Sequence, residues 1–293
     1  MEGILNVLKP SGMTSHDVVS CVRRLTGQKR VGHTGTLDPG AAGVLPVCVG
    51  RATRAAEYVL EMDKSYRAEL TLGVATDTED ASGRIVAEKS VPILDEETVR
   101  AVLVQFLGLG AQVPPMYSAV RKKGVRLYEL ARRGETVERE ARSINIYRLE
   151  LVELGRNTVM FDVTCSRGTY VRTLCTAIAE KLGTYGHMSF LLRTAVGPYL
   201  LPEAQTLAYL AELAAVGRLH EVFLPVETAL QKIPALRLPA EQAERVKHGG
   251  TVSCEGLLEN ALFQLCSESG ELLAVARFSG DKLQPQKVFW TAD

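Results

Sequence analysis

Residues 32–43, GHTGTLDPGAAG, place four glycines and a proline in twelve positions and run directly into the apolar stretch VLPVCV at 44–49. Glycine at this density pays too much backbone entropy for a helix, and an apolar run of this length bounded by turn residues reads as a buried strand. The segment is therefore predicted to be a loop that feeds a buried strand and presents His33, Thr34, Thr36 and Asp38 on a tightly turned backbone.

The flanking sequence supplies elements on either side of that loop. Residues 4–8 read as a short strand stopped by Lys9-Pro10-Ser11-Gly12. A helix follows, capped by Thr14 or Ser15, striped by Val18, Val22 and Leu25 and ended by Gly27. Alternation of Tyr66, Ala68, Leu70 and Leu72 against Arg67, Glu69 and Thr71 is the period of a half-buried strand. Residues 76–83 read as a turn or loop, 95–107 as a helix with Val99, Val102, Leu103 and Phe106 on one face, and 170–182 as a helix closed by Gly183. Residues 144–154 and 159–165 alternate as two antiparallel strands joined through Gly155, Arg156 and Asn157. Residues 206–230 look helical. Beyond Ile233, short strands surround a basic helical turn at 241–248 that Gly249-Gly250 stops.

With 293 residues the chain is long enough for about two domains, and 46% hydrophobic with 23% charged residues is a globular composition. No apolar run reaches the roughly 18 residues of a membrane span, and the N-terminal segment lacks a signal-peptide pattern, so a cytoplasmic location is predicted. The six cysteines are far apart, with no CxxC pair, and reduced thiols are the expectation. Formal net charge is zero, yet residues 116–148 carry 9 basic and 4 acidic side chains. That run, with Arg121, Lys122, Lys123, Arg126, Arg132, Arg133, Arg139 and Arg142, suits a polyanion and equally suits a solvated, salt-bridged face.

Asp38 is the sharpest candidate for chemistry. Glycines let the backbone turn tightly around it and Pro39 sets the exit. A carboxylate so presented can serve as nucleophile, base or ligand, or can merely close its own turn. A phosphate cradle is a rival use of a glycine-rich loop, but the segment has neither a Gly-Lys-Ser/Thr ending nor GxGxxG spacing. The five histidines are scattered and no metal cluster is legible.

Seven blocks in order resemble one family, the bacterial tRNA pseudouridine synthases of the TruB type, which act on a T-loop uridine. They are KPSGMTSHDVV (9–19), GHTGTLDPGAAGVL (32–45), KSY (64–66), TDTEDASG (76–83), QVPPMYSAVRKKGVRLYELAR (112–132), CSRGTYVRTL (165–174) and HMSFLLRTAVG (187–197). Together they span almost all of the first 200 residues. Departures are small: Arg167 stands where lysine is common, and Leu192 stands where an arginine is frequent, removing one cation.

The resemblance implies an α+β fold in two parts. Residues 1–230 would form a pseudouridine synthase catalytic domain on a mostly antiparallel mixed sheet with flanking helices, carrying a basic thumb-like insertion at about 115–143. Residues 231–293 would form a small β-rich, PUA-like RNA-binding domain. It implies isomerisation of uridine 55 in the tRNA T loop, with the target base flipped out because a stacked base is out of reach. In that likeness Asp38 is catalytic, either adding to C1′ or abstracting the C2′ proton. Arg172 pairs with it, although on its helix alone Arg172 could equally snorkel to solvent. Tyr66 stacks on the detached uracil, its hydroxyl being a candidate for removing the C5 proton, and Leu191 lines the same pocket. His33 fills the space the base vacates. Lys9 and Tyr170, with Arg121, Lys122 and Lys123 of the thumb, line the RNA cleft and make binding salt-sensitive. No cofactor and no metal are implied. The expected partner is the tRNA T arm, with no membrane, no obligate protein partner and a monomeric enzyme. Two rivals remain at this point: a non-catalytic tRNA-folding chaperone using the same cleft, and a nucleotide-binding enzyme using the glycine-rich loop.

Overall fold

The computed structural model describes residues 1–122 and 124–290, so Lys123 lies outside the described residues. In chain order the first part comprises β1 (Gly3–Lys9), α1 (Ser15–Thr26), β2 (Val31–His33), β3 (Ala42–Val49), α2 (Ala56–Leu60), β4 (Lys64–Leu72), β5 (Val74–Thr76), β6 (Ile85–Glu88), α3 (Glu96–Val104) and β7 (Gly108–Gln112). Next come β8 (Arg121–Lys122), β9 (Val125–Arg126), α4 (Leu127–Arg132), β10 (Arg142–Leu154), β11 (Thr158–Cys165), α5 (Val171–Lys181), β12 (Gly186–Val196), β13 (Tyr199–Leu200), β14 (Gln205–Thr206) and α6 (Leu207–Ala215). The chain closes with β15 (Ala235–Arg237), α7 (Ala240–Lys247), β16 (Val252–Ser253), β17 (Leu262–Cys266), β18 (Leu272–Ser279) and β19 (Lys282–Val288).

One ten-stranded sheet organises residues 3–206, in the order β14-β1-β3-β12-β4-β11-β10-β7, with β2 added to β3 and β13 to β12. Only β1 with β14 and β3 with β12 pair in parallel, so the sheet is mixed and mostly antiparallel, as expected. β4 lies at its middle, and its residues alternate between buried and half-buried along their whole length, with Tyr66, Ala68, Leu70 and Leu72 on the buried face. Helices α3 and α5 cover this face through Val99, Val102, Leu103, Leu174 and Ile178. Helices α1 and α6 cover β1 and β3 through Val18, Val19, Val22, Leu210 and Leu213. Thr14 caps α1 in a reciprocal capping box with Asp17, and Gly27 ends it at φ 65°.

A second sheet, β15-β17-β18-β19-β16, spans 235–288 and wraps around α7. Leu272, Val275 and Phe289 of this part join Ile4, Val44 and Cys48 of the first in one buried cluster.

Several expectations are corrected. Residues 206–230 are not one helix: only Leu207–Ala215 is α-helical, and two short 3₁₀ turns follow. Gly217, at φ 73°, and Pro225 interrupt the helical hydrogen bonding that the leucine spacing suggested. The glycine-rich loop is shorter than it read, because Val31–His33 pairs with Val47–Val49 as β2. The turn at 76–83 is the tip of a hairpin, β5 with β6, that the alternation did not reveal. The basic run at 121–142 is the paired strands β8 and β9, the short helix α4 and an irregular return to β10. No helix among the described residues is long and apolar enough to cross a membrane. All six cysteines are unpaired, four of them buried.

Candidate active site

The loop between β2 and β3 is pinned from several sides. Thr34 donates both its N–H and its hydroxyl to the Pro46 carbonyl at 3.1 Å. Ser15 Oγ accepts the Leu37 N–H at 2.9 Å, and the Gly12 N–H and Ser11 Oγ donate to the Pro39 and Gly40 carbonyls at 2.8 Å. From beneath, the wholly buried Arg193 donates Nε to the Val44 carbonyl at 2.7 Å and Nη2 to the Gly35 carbonyl at 3.3 Å. Gly43 permits this approach: at φ 122° it lies so close to β12 that a Cβ would sit 2.2 Å from the Arg193 carbonyl oxygen. The loop thus offers Asp38 on a backbone held by contacts distant in sequence, with its side chain 37% exposed.

Arg172 meets that carboxylate. Its side chain, on the first turn of α5, is only 7% exposed, and Nε lies 3.1 Å from Asp38 Oδ2. Nη1 donates to the Thr78 carbonyl at 3.1 Å and lies 3.8 Å from Asp80 Oδ2, while Nη2 donates to the Tyr117 carbonyl at 2.8 Å. The planar fork joins the glycine-rich loop, the 76–83 turn and the root of the basic insertion. Asp80 is itself oriented by Thr78 Oγ1, Ser82 N and Ser82 Oγ at 2.7, 2.9 and 2.6 Å. Of the two readings of Arg172, the ion pair is the one present; snorkelling is not.

Tyr66, Leu37, Ala41 and Leu191 share the buried cluster next to this pair. Burial pushes the Tyr66 phenol up to about 12, so it is neutral at physiological pH. His33 sits at the end of β2, and burial, with Arg193 and His16 nearby, lowers its pKa. Its Nδ1 accepts the Gly35 N–H at 3.3 Å, which places the neutral ring's proton on Nε2. Tyr170 precedes α5, its backbone N–H and C=O both bonded by the Gln112 side chain. Arg121 and Lys122 are exposed on the basic insertion, and Lys122 Nζ donates to the Glu138 carbonyl.

The expectation for Lys9 is corrected. It does not line a cleft: the residue is fully buried, and its ammonium donates to the Pro10, Met13 and Pro39 carbonyls at 2.8, 2.6 and 3.2 Å. All three of its donors are taken by backbone, so none is left for a phosphate. Burial lowers its pKa to about 8 despite the nearby Asp38. Lys64, also lowered to about 8 by burial, does the same for the Leu60 and Met62 carbonyls.

Sequence reasoning missed Arg193, Asp80, Lys64 and Gln112. Each lies inside a quoted block; for Lys64 and Arg193 the signal available was a cation in phase with buried apolar strand residues, which demands a buried partner, whereas Asp80 in a turn and Gln112 at the end of an exposed edge strand carried no such local signal. No group of three or more His, Cys, Asp or Glu among the described residues is arranged to hold a metal.

A large mixed sheet, a second small β-rich sheet and a half-exposed aspartate gripped by a buried arginine define a pseudouridine synthase architecture. Solved structures agree. The "Cbf5-Nop10-Gar1 Complex" superposes with TM-score 0.78 at 26% identity over 98% of this chain and 85% of that one. An "H/ACA RNP bound to a substrate RNA containing 2'-deoxyuridine" superposes with TM-score 0.78 at 25% identity over 99% and 86%. Residues 23–171 match the profile described as "TruB family pseudouridylate synthase (N terminal domain)", and residues 172–231 that described as "tRNA pseudouridylate synthase B C-terminal domain". The chain belongs to the TruB family of pseudouridylate synthases. Relatives named tRNA pseudouridine synthase B include those of Caldanaerobacter subterraneus subsp. tengcongensis, 43% identical over 99% of both chains, and Symbiobacterium thermophilum, 52% identical over 85% of this chain and 82% of its own. The join between the two matched profiles does not divide the fold, because β12 pairs with both β3 and β4. It separates Asp38 from Arg172 in sequence while the sheet brings them together.

Proposed function

We propose that this protein isomerises uridine 55 in the T loop of tRNA to pseudouridine, flipping the target base into the pocket beside Asp38. The observation that carries the reading is the contrast in the Asp38–Arg172 pair: a carboxylate open to an incoming ribose, oriented by a guanidinium that is itself out of solvent. The reaction breaks the N1–C1′ bond, turns the uracil and forms C5–C1′; the C5 proton leaves and N1, which bears none in uridine, gains one, so substrate and product have the same composition. Asp38 serves the first stage, by addition to C1′ or by removal of the C2′ proton, and the proposed chemistry draws on no cofactor.

Tyr66 and Leu191 hold the detached base between apolar surfaces. The neutral Tyr66 hydroxyl can accept the C5 proton only by passing its own proton on in the same event. A neutral His33 suits insertion among unstacked bases, where a charge would have to be desolvated. On the insertion, the guanidiniums of Arg126 and Arg132 lie 5.8 and 5.5 Å from the Tyr128 ring centroid. With Arg121 they form an exposed cationic and aromatic surface for phosphates, and Lys123 belongs to the same reading. Lys9 acts here as a positioning residue, through the Pro39 carbonyl.

Residues 231–293 are read as the PUA-like RNA-binding part. Lys247 Nζ lies 5.0 Å from the Trp290 ring centroid, and His248 packs edge-on against that ring. Glu241 and Glu244 pair with Arg245, Lys247 and His248, which leaves this part a modest electrostatic contribution. The protein is read as a cytoplasmic monomer acting on the tRNA T arm without an obligate protein partner.

The test is incubation with an unmodified tRNA transcript, followed by carbodiimide adduct formation and primer extension, with Asp38→Asn alongside. One stop in the T loop, absent with Asp38→Asn although tRNA is still bound, is the expected result. Binding without any stop from the unsubstituted protein overturns the reading.

A further inference from the structure

Gln112 is the last residue of β7, an edge strand 60 positions before Arg172 in sequence, and the reading above gives it no role. Its side-chain amide pairs with the backbone N–H and C=O of a single residue, Tyr170. Nε2 donates to the Tyr170 carbonyl at 3.0 Å, and Oε1 accepts the Tyr170 N–H at 2.7 Å. Tyr170 is the residue on which α5 begins, and its side chain makes no capping bond. Its carbonyl also accepts the Leu174 N–H at 3.1 Å, the first bond of the helix. The amide therefore satisfies a backbone donor that a helix start otherwise leaves orphaned, and sets the angle at which α5 leaves the sheet. Two residues on, Arg172 projects from that first turn to Asp38.

The same stretch of chain touches Arg172 a second time. Beyond Gln112, Pro114 and Pro115 stiffen the path to Tyr117, whose carbonyl accepts Arg172 Nη2 at 2.8 Å. Residues 112–117 hold the arginine at its helix and at its tip. An amide that bonds both the N–H and the C=O of one residue is constrained to a narrow geometry, so it transmits position rather than bulk.

We infer that Gln112 is a positioning residue for the isomerisation, setting the start of α5 through Tyr170 so that Arg172 meets Asp38 in register. This rests on the function proposed above. A glutamate of the same shape separates positioning from folding. Ionised, it offers oxygen to the Tyr170 carbonyl and loses that bond; protonated, it has one O–H donor and one C=O acceptor and restores the pair. The Tyr170 carbonyl raises the pKa of such a carboxyl, whereas the Tyr170 N–H, the start of α5 and Arg142, paired opposite on β10, lower it, so the restoration begins at the acid end of the range followed below.

The experiment compares single-turnover pseudouridine formation on saturating tRNA by the full-length protein, Gln112→Glu and Gln112→Ala. Melting temperature and tRNA Kd are measured for each, and the rate ratio to the unsubstituted protein is followed from about pH 8 to about pH 5.5. At about pH 8 both variants are expected to lose about 10- to 100-fold in rate, the size of effect that misplacement of a reacting group produces, with Kd changed by less than about twofold. The Gln112→Glu deficit closes as pH falls, whereas the Gln112→Ala deficit stays constant. Rates equal to the unsubstituted protein at about pH 8, or a Gln112→Glu deficit that does not change with pH, overturn the inference. If Gln112→Glu fails to fold, Gln112→Ala decides alone, an unchanged rate refuting the role. An inactive unsubstituted protein refutes the function itself and is a distinct result.

Discussion

Arg172→Lys keeps the buried positive charge and discards the fork. A lysine ammonium placed near Asp38 retains an attraction whose gross size, at 3.1 Å and an effective dielectric constant near 20, is about 5 kcal/mol before desolvation. From that point it cannot also reach the Thr78 and Tyr117 carbonyls, which Arg172 now bonds at 3.1 and 2.8 Å from two different nitrogens. Each carbonyl loses a charge-assisted donor in a largely buried setting, worth about 1.5 kcal/mol at the low end, so about 3 kcal/mol of site assembly is lost. At about 1.4 kcal/mol per factor of ten this is about a 10²-fold slower reaction. The assay is single-turnover tritium release from tRNA labelled at uracil C5, at saturating enzyme, with tRNA affinity measured in parallel. Because the Arg172 side chain is nearly inaccessible, Kd should change by less than about threefold. A lysine variant within about threefold of the normal rate would mean that charge alone suffices and that the carbonyl contacts contribute nothing to the geometry.

Gly43→Ala should destabilise the fold by about 3 kcal/mol or more, because the new methyl meets the Arg193 backbone at 2.2 Å with φ at 122°; a urea midpoint equivalent to less than about 1 kcal/mol refutes this. Lys9 and Lys64 titrate at about 8 when folded against an ordinary value of 10.5, so the unfolded chain binds more protons in that window and stability rises with pH there, by up to about 1.4 kcal/mol per unit for each. The buried thiols of Cys48 and Cys165, raised to about 12 and 11 from 9.0, with Cys175 shifted the same way, reverse the slope once unfolded thiols ionise. A stability maximum near about pH 9 is expected from urea midpoints between about pH 7.5 and 10, and a monotonic fall refutes it. Arg121→Ala should reduce the slope of log Kd for tRNA against log salt by about one unit and leave the single-turnover rate at saturation unchanged; an unchanged slope removes Arg121 from the RNA surface.

What the sequence made legible was what repeats locally. The alternation around Tyr66 located β4 and its buried face, and glycine density located the loop carrying Asp38. The pairing of Arg172 with Asp38 was legible only through the family resemblance, because a helical arginine has no periodic signature for its partner. Lys9 was misjudged because a lysine beside Pro-Ser-Gly looks like surface, whereas the turn it precedes folds back so that its own carbonyls surround the ammonium. The β5–β6 hairpin escaped because Ile85 and Val86 are both exposed, which leaves no buried-and-exposed alternation to read. The register of β12 against β3, which places Arg193 opposite Gly43, is a long-range fact without a local trace.

Arg172, Lys9, Lys64 and Arg193 are all buried, and together they take carbonyls from seven separate stretches of the chain: those at 10–13, 35–36, 39, 44, 60–62, 78 and 117. Carbonyl dipoles satisfy these donors without adding negative charge, whereas four carboxylate partners would have surrounded Asp38 with its own kind and repelled a phosphate backbone. The arrangement is expensive, since Lys9, Lys64 and Arg193 leave water for neutral acceptors and only Arg172 also meets carboxylates, and the depressed lysines at about 8 register that cost. An apolar core could join the same strands more cheaply, but dispersion has no direction and would let the loop carrying Asp38 settle in several places. Bonds from a charged group to named carbonyls hold that loop in one position. The least economical burial in the molecule is therefore concentrated behind the carboxylate that has to meet a ribose at one angle.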